Sequence, residues 1–395
     1  MCMSDLFNPQ AADAAIAGVI SPQAGELPSL LQTWSGPRPL RVCSGGTSSR
    51  CAVDGCWSLD LRPGFQDVTL SPDRTTVRVG AGRTMGALLE LLAAEDLTIT
   101  AGLSGYPGMG YLLTGGMGPI SRRWGLAIDQ LSEIRGVWGN GRSFALQPSD
   151  HPEWRALLGA APFLAVVTDV TLACLPLSPL WVARRSGPPE QLGEWIAEAE
   201  AWSDVQSLQW CWRGSQVQGL KVSLEPFEGG LPIAGQHRLP SLASFPADGN
   251  RRHGEVVGLL GPAAAVGWGR LMPDLIRLMS RCPDGLCNLS AQQLGGATAN
   301  VPVEASAFRH RDAVWKPWIT AVWSAGDAAA RERSLAWLEE VWMLLHTVCP
   351  GVHLAQLHDH LPFHQRELEQ AFGAWLSDLR LLKARLDPDG NLPQL

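Results

Sequence analysis

The chain has 395 residues, a formal net charge of −7 at neutral pH and 46% hydrophobic residues. This length exceeds one ordinary core and predicts two domains, or one domain with a large insertion. The hydrophobic content is normal for a globular protein and argues against long disordered segments. No basic run is interleaved with aromatic residues, which argues against a nucleic-acid partner.

The N-terminus and the cysteines bear on the cellular compartment. The first residues, MCMSDLFNPQAADAAI, lack a basic start followed by an apolar run, so we expect no secretory signal peptide. The apolar stretches are interrupted before they reach the roughly 20 residues that a membrane span needs. Nine cysteines, an odd number, lie apart without the spacing of a zinc site. We therefore expect a cytoplasmic protein with reduced thiols, no metal site and no membrane partner.

The first half of the chain alternates short apolar segments with turns. Helical spacing predicts helices over 11–33, 84–94 and 154–158. Gly139-Asn140-Gly141 is typical of a hairpin turn. Alternating or β-branched runs predict strands over 40–43, 57–61, 65–70, 76–79, 131–138, 143–146 and 163–175.

The pattern changes after the proline-rich segment 175–179. Helices are predicted over 190–203, 263–280 and 326–346, strands over 207–213, 217–224, 288–294 and 317–323, a loop over 228–255 and one long helix over 364–385. This order predicts an α+β fold. We expect a first unit over 1–177, a second α+β unit with an antiparallel sheet over 178–361, and a C-terminal segment over 362–395.

A small-residue loop, Ser44-Gly45-Gly46-Thr47-Ser48, follows the strand predicted at 40–43. Paired glycines and short hydroxyl side chains let several backbone N–H groups converge on a phosphate without an obstructing Cβ. A plain tight turn has the same composition. These residues alone therefore leave both interpretations open.

A second stretch, residues 102–118, has the sequence GLSGYPGMGYLLTGGMG, with seven glycines in seventeen residues. Such a segment packs poorly but lets the backbone approach a flat, charged ligand. It lacks the strand–GxGxxG–helix pattern of nicotinamide-binding folds and the Gly-Lys-Ser/Thr of a P-loop.

Four segments occur together in the order and spacing of one flavin domain, namely RVCSGGTSS, VTLSPDRTTVRVGAGRTMGALLELLAAEDLTITAG, GYLLTGGMGPISRRWGLAIDQLSEIRGVWGNGRS and HPEWRALLGAAPFLAVVTDVTLACLPL. Residues 38–178 thereby resemble the PCMH-type FAD-binding domain of the p-cresol methylhydroxylase/vanillyl-alcohol oxidase superfamily. The resemblance implies two subdomains that hold FAD between them. The first loop would wrap the pyrophosphate, residues 108–118 would lie along pyrophosphate and isoalloxazine, and residues 165–167 would meet the adenosine end. The implied cofactor-binding residues are Ser44, Gly45, Gly46, Thr47, Ser48, Gly102, Gly108, Gly110, Tyr111, Thr114, Gly115, Gly116, Gly118, Ala165 and Val167.

The C-terminal half resembles the berberine-bridge-enzyme-like branch of this superfamily. Gly295-Gly296-Ala297 and Ala307-Phe308-Arg309-His310-Arg311 resemble a GGA…AFxHR signature, and FGAWLSDLRLLKARLDPDGNL resembles the closing helix. The resemblance implies that residues 1–177 are the FAD-binding domain and that residues 178–361 are a substrate domain. It also implies that residues 362–395 pack back onto the FAD-binding domain.

The chain departs from that branch at three places. Thr47 stands where the branch usually has a histidine bonded to the flavin, and Leu103 or Ser104 stands where it has a second attachment point, a cysteine. Non-covalent FAD is therefore expected. The branch's tyrosine base is also missing, because its strand aligns with residues 353–356 and the chain's two tyrosines, Tyr106 and Tyr111, lie in the first half.

Histidine and arginine side chains are the candidates to replace that base. In a strand over 353–360, Gln356, His358 and His360 would share one face, and a histidine at the flavin edge could accept a proton. The catalytic candidates are His310, Arg311, His358 and His360, with Arg311 acting electrostatically. Surface histidines and a structural ion pair for Arg311 are the competing interpretations, and Glu304 is a further alternative.

Two functions are consistent with these features. The leading hypothesis is an FAD-dependent oxidoreductase that passes a hydride from a small organic substrate to flavin N5 and then electrons to oxygen or another acceptor. The alternative is a catalytically degenerate flavin fold that acts as a binding or assembly module. Trp210 and Trp212, at alternate positions of a predicted strand, are candidates to face the substrate. The oligomeric state is left open.

Overall fold

The structure is a computed structural model, and it describes residues 15–148, 151–243, 252–324, 326–359, 361 and 364–395. The mixture of helices and antiparallel sheet confirms the predicted α+β class. The helices are α1 Leu27–Gln32, α2 Met85–Ala93, α3 Met109–Leu113, α4 Ser121–Trp124, α5 Pro152–Leu164, α6 Leu192–Glu200, α7 Leu239–Ala243, α8 Ala265–Met279, α9 Ala328–Leu345, α10 His364–Phe372 and α11 Trp375–Leu386.

Two sheets form in the first part of the chain. The smaller is parallel, with β1 (Gly18–Ile20) and β2 (Arg41–Cys43) on either side of β3 (Trp57–Asp60). The larger is antiparallel in the order β4-β5-β9-β7-β8, and its strands are β4 Val68–Leu70, β5 Thr76–Gly80, β7 Leu131–Trp138, β8 Ser143–Leu146 and β9 Ala165–Ala173. A short pair joins β6 (Leu97–Thr98) to β10 (Leu175–Pro176). The predicted hairpin at 131–146 is confirmed, with Gly141 in the left-handed region at φ 82°.

The remaining strands build one eight-stranded antiparallel sheet in the order β14-β11-β13-β12-β16-β17-β15-β18. They are β11 Leu180–Gly187, β12 Gln206–Arg213, β13 Gln216–Ser223, β14 Leu231–Ile233, β15 Arg252–Leu260, β16 Asn288–Gln293, β17 Trp315–Ser324 and β18 Gly351–Val352. One face packs against α6, α8 and α9 in a core rich in tryptophan, and the other face points toward the first part of the chain.

The C-terminal helices share a core with the first part of the chain. Leu368, Phe372 and Leu379 belong to the same buried cluster as Leu27 and Leu172. Polar contacts hold the end of the chain in the same place: Asn391 Nδ2 donates to Leu31 O and Gly139 O, and the buried Lys383 Nζ donates to Phe163 O and Leu392 O. These contacts are consistent with the expected return of 362–395, although the domain boundaries themselves stay a prediction.

Four local predictions were wrong. Residues 18–20 form β1 within the segment predicted as helical, because they add to the edge of a parallel sheet. The loop predicted over 228–255 contains β14 and the start of β15. The long helix over 364–385 is two helices, because Gly373 at φ 51° ends the first. The strand predicted over 353–360 does not form over its described residues, 353–359: β18 ends at Val352 and a 3-10 turn covers Leu354–Gln356.

Candidate functional site

A cavity of about 400 Å³ lies between the two glycine-rich segments and the open face of the large sheet. Its walls come from three parts of the chain: loops of the first half, side chains of β15, β16 and β17, and the segment after β18. The lining residues are Val42, Ser44, Gly45, Gly46, Thr47, Ser48, Arg50, Cys51, Gly102, Leu103, Ser104, Pro107, Gly108, Gly110, Tyr111, Val256, Gln292, Lys316, Trp318, Thr320, His353, Ala355, Gln356 and His358.

The two glycine-rich segments touch each other through their backbones. A Cβ on Gly45 would lie 2.3 Å from Gly108 N, and a Cβ on Gly108 would lie 2.6 Å from Gly45 N. Ser44 Oγ accepts a hydrogen bond from Gly110 N at 3.3 Å. Gly46, at φ 71°, has a backbone that favours glycine. Glycine is therefore required because the two backbones meet at the cavity wall.

The predicted cofactor-binding residues divide into two groups. Nine of the fifteen line the cavity, namely Ser44, Gly45, Gly46, Thr47, Ser48, Gly102, Gly108, Gly110 and Tyr111. The other six, Thr114, Gly115, Gly116, Gly118, Ala165 and Val167, are not among its lining residues. Packing explains two of these glycines: a Cβ on Gly116 would lie 2.3 Å from Ala127 Cβ, and one on Gly118 would overlap Ala101 O. Direct contact of those six residues with a cofactor stays a prediction.

Positive charge lies at the loop end of the cavity. Arg50 lines the wall two residues after Ser48 and donates from Nη1 to Leu357 O at 3.0 Å. Burial lowers its pKa from the usual value, yet guanidinium stays charged at neutral pH. The neighbouring Arg41 donates from Nη1 to both carboxylate oxygens of Asp359, at 2.7 and 2.8 Å. The end of the cavity beside the small-residue loop is therefore suited to an anionic group.

A buried polar chain joins the loop, the sheet and the C-terminal segment. His358 Nε2 lies 3.2 Å from Ser48 Oγ, and His358 Nδ1 lies 2.6 Å from Glu255 Oε1 on β15. Ser49 Oγ donates to the same carboxylate oxygen at 2.8 Å. Both His358 and Glu255 are almost wholly buried. The arrangement holds the loop against the sheet, and one catalytic candidate, His358, lies at the cavity wall.

A lysine lies on the opposite wall. Lys316 on β17 is 5% exposed, and its Nζ donates to Tyr111 Oη at 3.0 Å. Burial lowers the Lys316 pKa to about 7, so a neutral amine with a free lone pair is accessible near neutral pH. Tyr111 donates its own proton to Met117 O, and burial raises its pKa above the usual value. The tyrosine is therefore a fixed acceptor for Lys316 and a poor base.

His353 lies beside this pair. Its ring meets Tyr111 edge-on at 5.8 Å, and its Nδ1 lies 3.1 Å from Gln356 Oε1. Burial lowers the His353 pKa to about 3, so the ring stays neutral at physiological pH. With Nδ1 donating to Gln356, Nε2 is a buried acceptor without a partner among the described residues, and it is a weak base. Lys316 is the stronger candidate to accept a proton.

The remaining catalytic candidates lie elsewhere. His310 is outside the cavity lining and accepts from Val352 N through Nε2, and burial lowers its pKa to about 4. Arg311 is buried, with Nη1 donating to both carboxylate oxygens of Asp129 and Nη2 donating to Ser306 Oγ, so its guanidinium is held in a structural ion pair. Glu304 is exposed, and His360 lies outside the described residues. Of the three catalytic candidates that the structure describes, only His358 lines the cavity.

The two tryptophans that were candidates to face the substrate lie in the core. Trp210 and Trp212 belong to the buried core on the helix side of the sheet, where the Trp210 ring meets Trp268 at 5.7 Å, and neither lines the cavity beside Lys316. Sequence reasoning missed Lys316 and Arg50 altogether. A signal for Lys316 existed: it is the single charge within the otherwise uncharged strand WKPWITAVWS.

In the described ranges, no group of three or more His, Cys, Asp or Glu side chains is arranged to hold a metal ion. Within the same residues, no helix is both long and apolar enough to cross a bilayer.

Comparison with known proteins bears on the identity of the fold. A family model described as an FAD binding domain matches residues 29–146. Superposition on BBE-like #28 from Arabidopsis thaliana gives a TM-score of 0.84 over 99% of this chain and 95% of that chain, at 16% identity. The chain has the FAD-binding fold of the berberine-bridge-enzyme-like proteins.

Sequence relatives are consistent with this fold. The FAD-dependent monooxygenase FUP4 of Fusarium proliferatum is 34% identical over 120 residues, which is 30% of this chain and 23% of that protein. The uncharacterized FAD-linked oxidoreductase YgaK of Bacillus subtilis is 21% identical over 365 residues, which is 82% of this chain and 77% of that protein. The chain thus spans about a quarter of the length of FUP4 and most of the length of YgaK.

The groups that line the cavity match the chemistry of FAD. The glycine contacts at one wall leave no room for side chains, and Arg50 lies near the same loop. A polar sheet face with a buried amine forms the other wall. These are the complements of a pyrophosphate and of a redox-active ring next to its substrate.

Proposed function

We propose that the protein is an FAD-dependent oxidoreductase that binds FAD non-covalently and oxidises a small organic substrate, with Lys316 as the base. The observation that carries the proposal is a buried amine, with a pKa lowered to about 7, on the wall of a cavity whose other wall is two glycine-rich backbones. Bound FAD would supply at N5 the hydride acceptor that amino-acid side chains lack.

The residues of the chain divide the remaining work. The backbone of residues 44–48 and 107–110 would bind the pyrophosphate, with Arg50 adding charge. Thr47, Leu103 and Ser104 line the cavity where the related branch has its attachment residues, and none of them supplies a histidine or cysteine nucleophile. This supports non-covalent attachment.

Lys316 would act on the substrate. Its Nζ donates one hydrogen to Tyr111 Oη, which orients the lone pair of the neutral amine. A substrate hydroxyl or amine would give its proton to that nitrogen as the hydride leaves the adjacent carbon. A positioned base of this kind contributes roughly 10²–10⁴-fold to the rate. Oxygen or another acceptor would then take the electrons.

Two measurements test this function. Purified protein should be yellow, and acid precipitation should release the flavin into the supernatant; flavin retained in the pellet would contradict non-covalent attachment. In anaerobic stopped-flow with a reducing substrate, Lys316→Met should keep its FAD and slow flavin reduction by roughly 10²–10⁴-fold.

Lys316→Arg is the matched control. It keeps a positive charge and a donor for Tyr111 but cannot accept a proton, so it should be as slow as the methionine variant. Flavin reduction at the wild-type rate in both variants would place the base elsewhere.

A further inference from the structure

Ser48 lies where the small-residue loop meets the buried polar chain. It lines the cavity, and its hydroxyl oxygen accepts a hydrogen bond from Arg50 N at 3.3 Å, which caps the 3-10 turn Ser49–Cys51. The same oxygen lies 3.2 Å from His358 Nε2. A serine hydroxyl has one proton to donate and two lone pairs that accept. The proton on His358 Nε2 therefore decides what Ser48 can offer to a ligand in the cavity.

The two protonation states of His358 give Ser48 opposite roles. When Nε2 carries no proton it is an acceptor, and the Ser48 hydroxyl donates to it, so the cavity faces a serine oxygen without its hydrogen. When His358 is cationic, Nε2 donates to Ser48, and with Arg50 N it occupies both lone pairs. Ser48 then has only its proton to offer, and the cavity is where a partner for that proton can bind.

Glu255 on β15 favours the cationic state of His358. Its carboxylate oxygen Oε1 lies 2.6 Å from His358 Nδ1, and the two side chains are 0% and 2% exposed. Ser49 Oγ and Val256 N donate to the same oxygen at 2.8 and 3.2 Å, and such bonds favour an ionised carboxylate. A negative charge this close to a buried imidazole stabilises its protonated form.

The other charged or titratable side chains near this pair leave the balance to Glu255. Within the described residues they include Arg41 and Arg50 of the first half, His253 and Lys316 of the sheet, and His353 and Asp359 of the segment after β18. Asp359 is a second carboxylate, but Arg41 Nη1 already donates to both of its oxygens. His353 stays neutral because burial lowers its pKa to about 3. The others of this set are bases, and none of them offsets a positive charge on His358.

Resting on the proposed function, in which the loop binds the pyrophosphate of FAD, we propose that Glu255 is a positioning residue for the cofactor. It keeps His358 cationic, and the cation turns the Ser48 proton toward the anionic oxygens of the ligand. With a neutral His358, the lone pairs of Ser48 would face those oxygens and repel them. A carboxylate on the sheet thereby controls a hydrogen-bond donor of the loop. FAD binding requires the proton on His358, so affinity falls as rising pH removes it.

The test follows FAD affinity against pH. Holoprotein is diluted at each pH, and the free flavin at equilibrium is measured by its fluorescence. All proteins carry Lys316→Met, because Lys316 lines the same cavity and has a pKa of about 7. In this background, affinity should fall roughly tenfold with rising pH, the loss expected for a hydrogen bond to a charged group. Glu255→Gln should move the midpoint of the fall at least about one pH unit lower, since the neutral amide no longer stabilises the cation. Ser48→Ala should bind weakly throughout and show no fall.

Three controls separate this effect from loosening of the loop. Ser58→Ala removes a buried hydrogen bond to the same 3-10 turn, from Ser58 Oγ to Cys51 O, but Ser58 does not line the cavity. It should leave the affinity and its pH dependence unchanged. Riboflavin, measured by its displacement of bound FAD, should show no fall, because it lacks the phosphate oxygens. Adding Glu255→Gln to Ser48→Ala should weaken binding no further, since both act on one hydroxyl.

The outcomes decide the inference and distinguish it from the proposed function. Equal weakening by Ser58→Ala, an unmoved midpoint in Glu255→Gln, or the same fall with riboflavin would overturn the role of Glu255. If substrates reduce the wild-type flavin but the midpoint does not move, the oxidoreductase stands and the role of Glu255 fails. If the midpoint moves as expected but no compound reduces the wild-type flavin, the role of Glu255 stands and the oxidoreductase fails.

Discussion

The two walls of the cavity are built in different ways. The loop wall consists of backbone: Gly45 and Gly108 approach so closely that neither tolerates a Cβ. The sheet wall consists of side chains on alternate positions, with Lys316 and Gln292 adjacent across two strands. A backbone wall places strict demands on residue type at consecutive positions. A side-chain wall is assembled from residues far apart in sequence, and its chemistry can change without altering the fold.

The largest expected effect comes from breaking the loop wall. Gly45→Ala should abolish FAD binding, because the new Cβ would lie 2.3 Å from Gly108 N and force the loops apart. Gly269→Ala is the matched control, since nothing lies within 4 Å of a Cβ at that position in α8. The flavin content of purified protein, read from its visible absorbance, checks both. Full FAD occupancy in Gly45→Ala would show that this contact does not shape the site.

The charge at the loop wall should matter less than its backbone. Arg50→Gln should weaken FAD binding by roughly 10- to 100-fold, the loss expected for a charge-assisted hydrogen bond of about 1.5–3 kcal/mol. Riboflavin, which lacks phosphates, should bind both proteins equally. Fluorescence titrations of wild type and Arg50→Gln with FAD and with riboflavin measure both affinities. Equal weakening for the two ligands would argue against a contact between Arg50 and the pyrophosphate.

The sheet wall should give the reaction its pH dependence. Because burial lowers the Lys316 pKa to about 7, the amine is neutral above this pH and protonated below it. The rate of anaerobic flavin reduction should therefore fall about tenfold per pH unit below 7 and level off above it. Lys316→Met should remove this dependence. A profile that stays flat from pH 5 to 9 in the wild type would exclude Lys316 as the base.

The smallest expected effect lies outside both walls and tests the returning C-terminal segment. Burial raises the pKa of Glu367 on α10 to about 8, so between about pH 4.5 and 8 the folded protein holds a proton that the unfolded chain releases. The free energy of unfolding should fall as pH rises across this window. Glu367→Gln should raise Tm by several degrees at pH 8 but not at pH 4. Glu369 is exposed, so the control variant Glu369→Gln should leave Tm unchanged at both pH values. Thermal melts at pH 4 and pH 8 check both variants.

The loop wall could be predicted from the sequence because its requirements are local. Glycines in tight turns and close backbone contacts leave a mark at consecutive positions. The residues of the loop at 44–48 were consistent with a plain turn or a phosphate-binding loop, and the resemblance to a flavin domain favoured the second. In the structure this loop lines the cavity. At Gly116 and Gly118, packing against Ala127 and Ala101 is by itself a reason for glycine, and contact with the cofactor stays a prediction. A run of glycines shows where the backbone is crowded but not which neighbour crowds it.

By itself, then, the sequence determined the fold class, most strands, the hairpin at 131–146 and the loops that form one side of the cavity. Only the tertiary structure decided which side chains face those loops. It places Lys316 and His353 on the wall of the cavity and Trp210 in the helix-side core. It also pairs Arg311 with Asp129. The physical reason is that the facing wall depends on the register of a sheet whose neighbouring strands lie far apart in the chain, and a shift of one residue would turn every side chain to the other face.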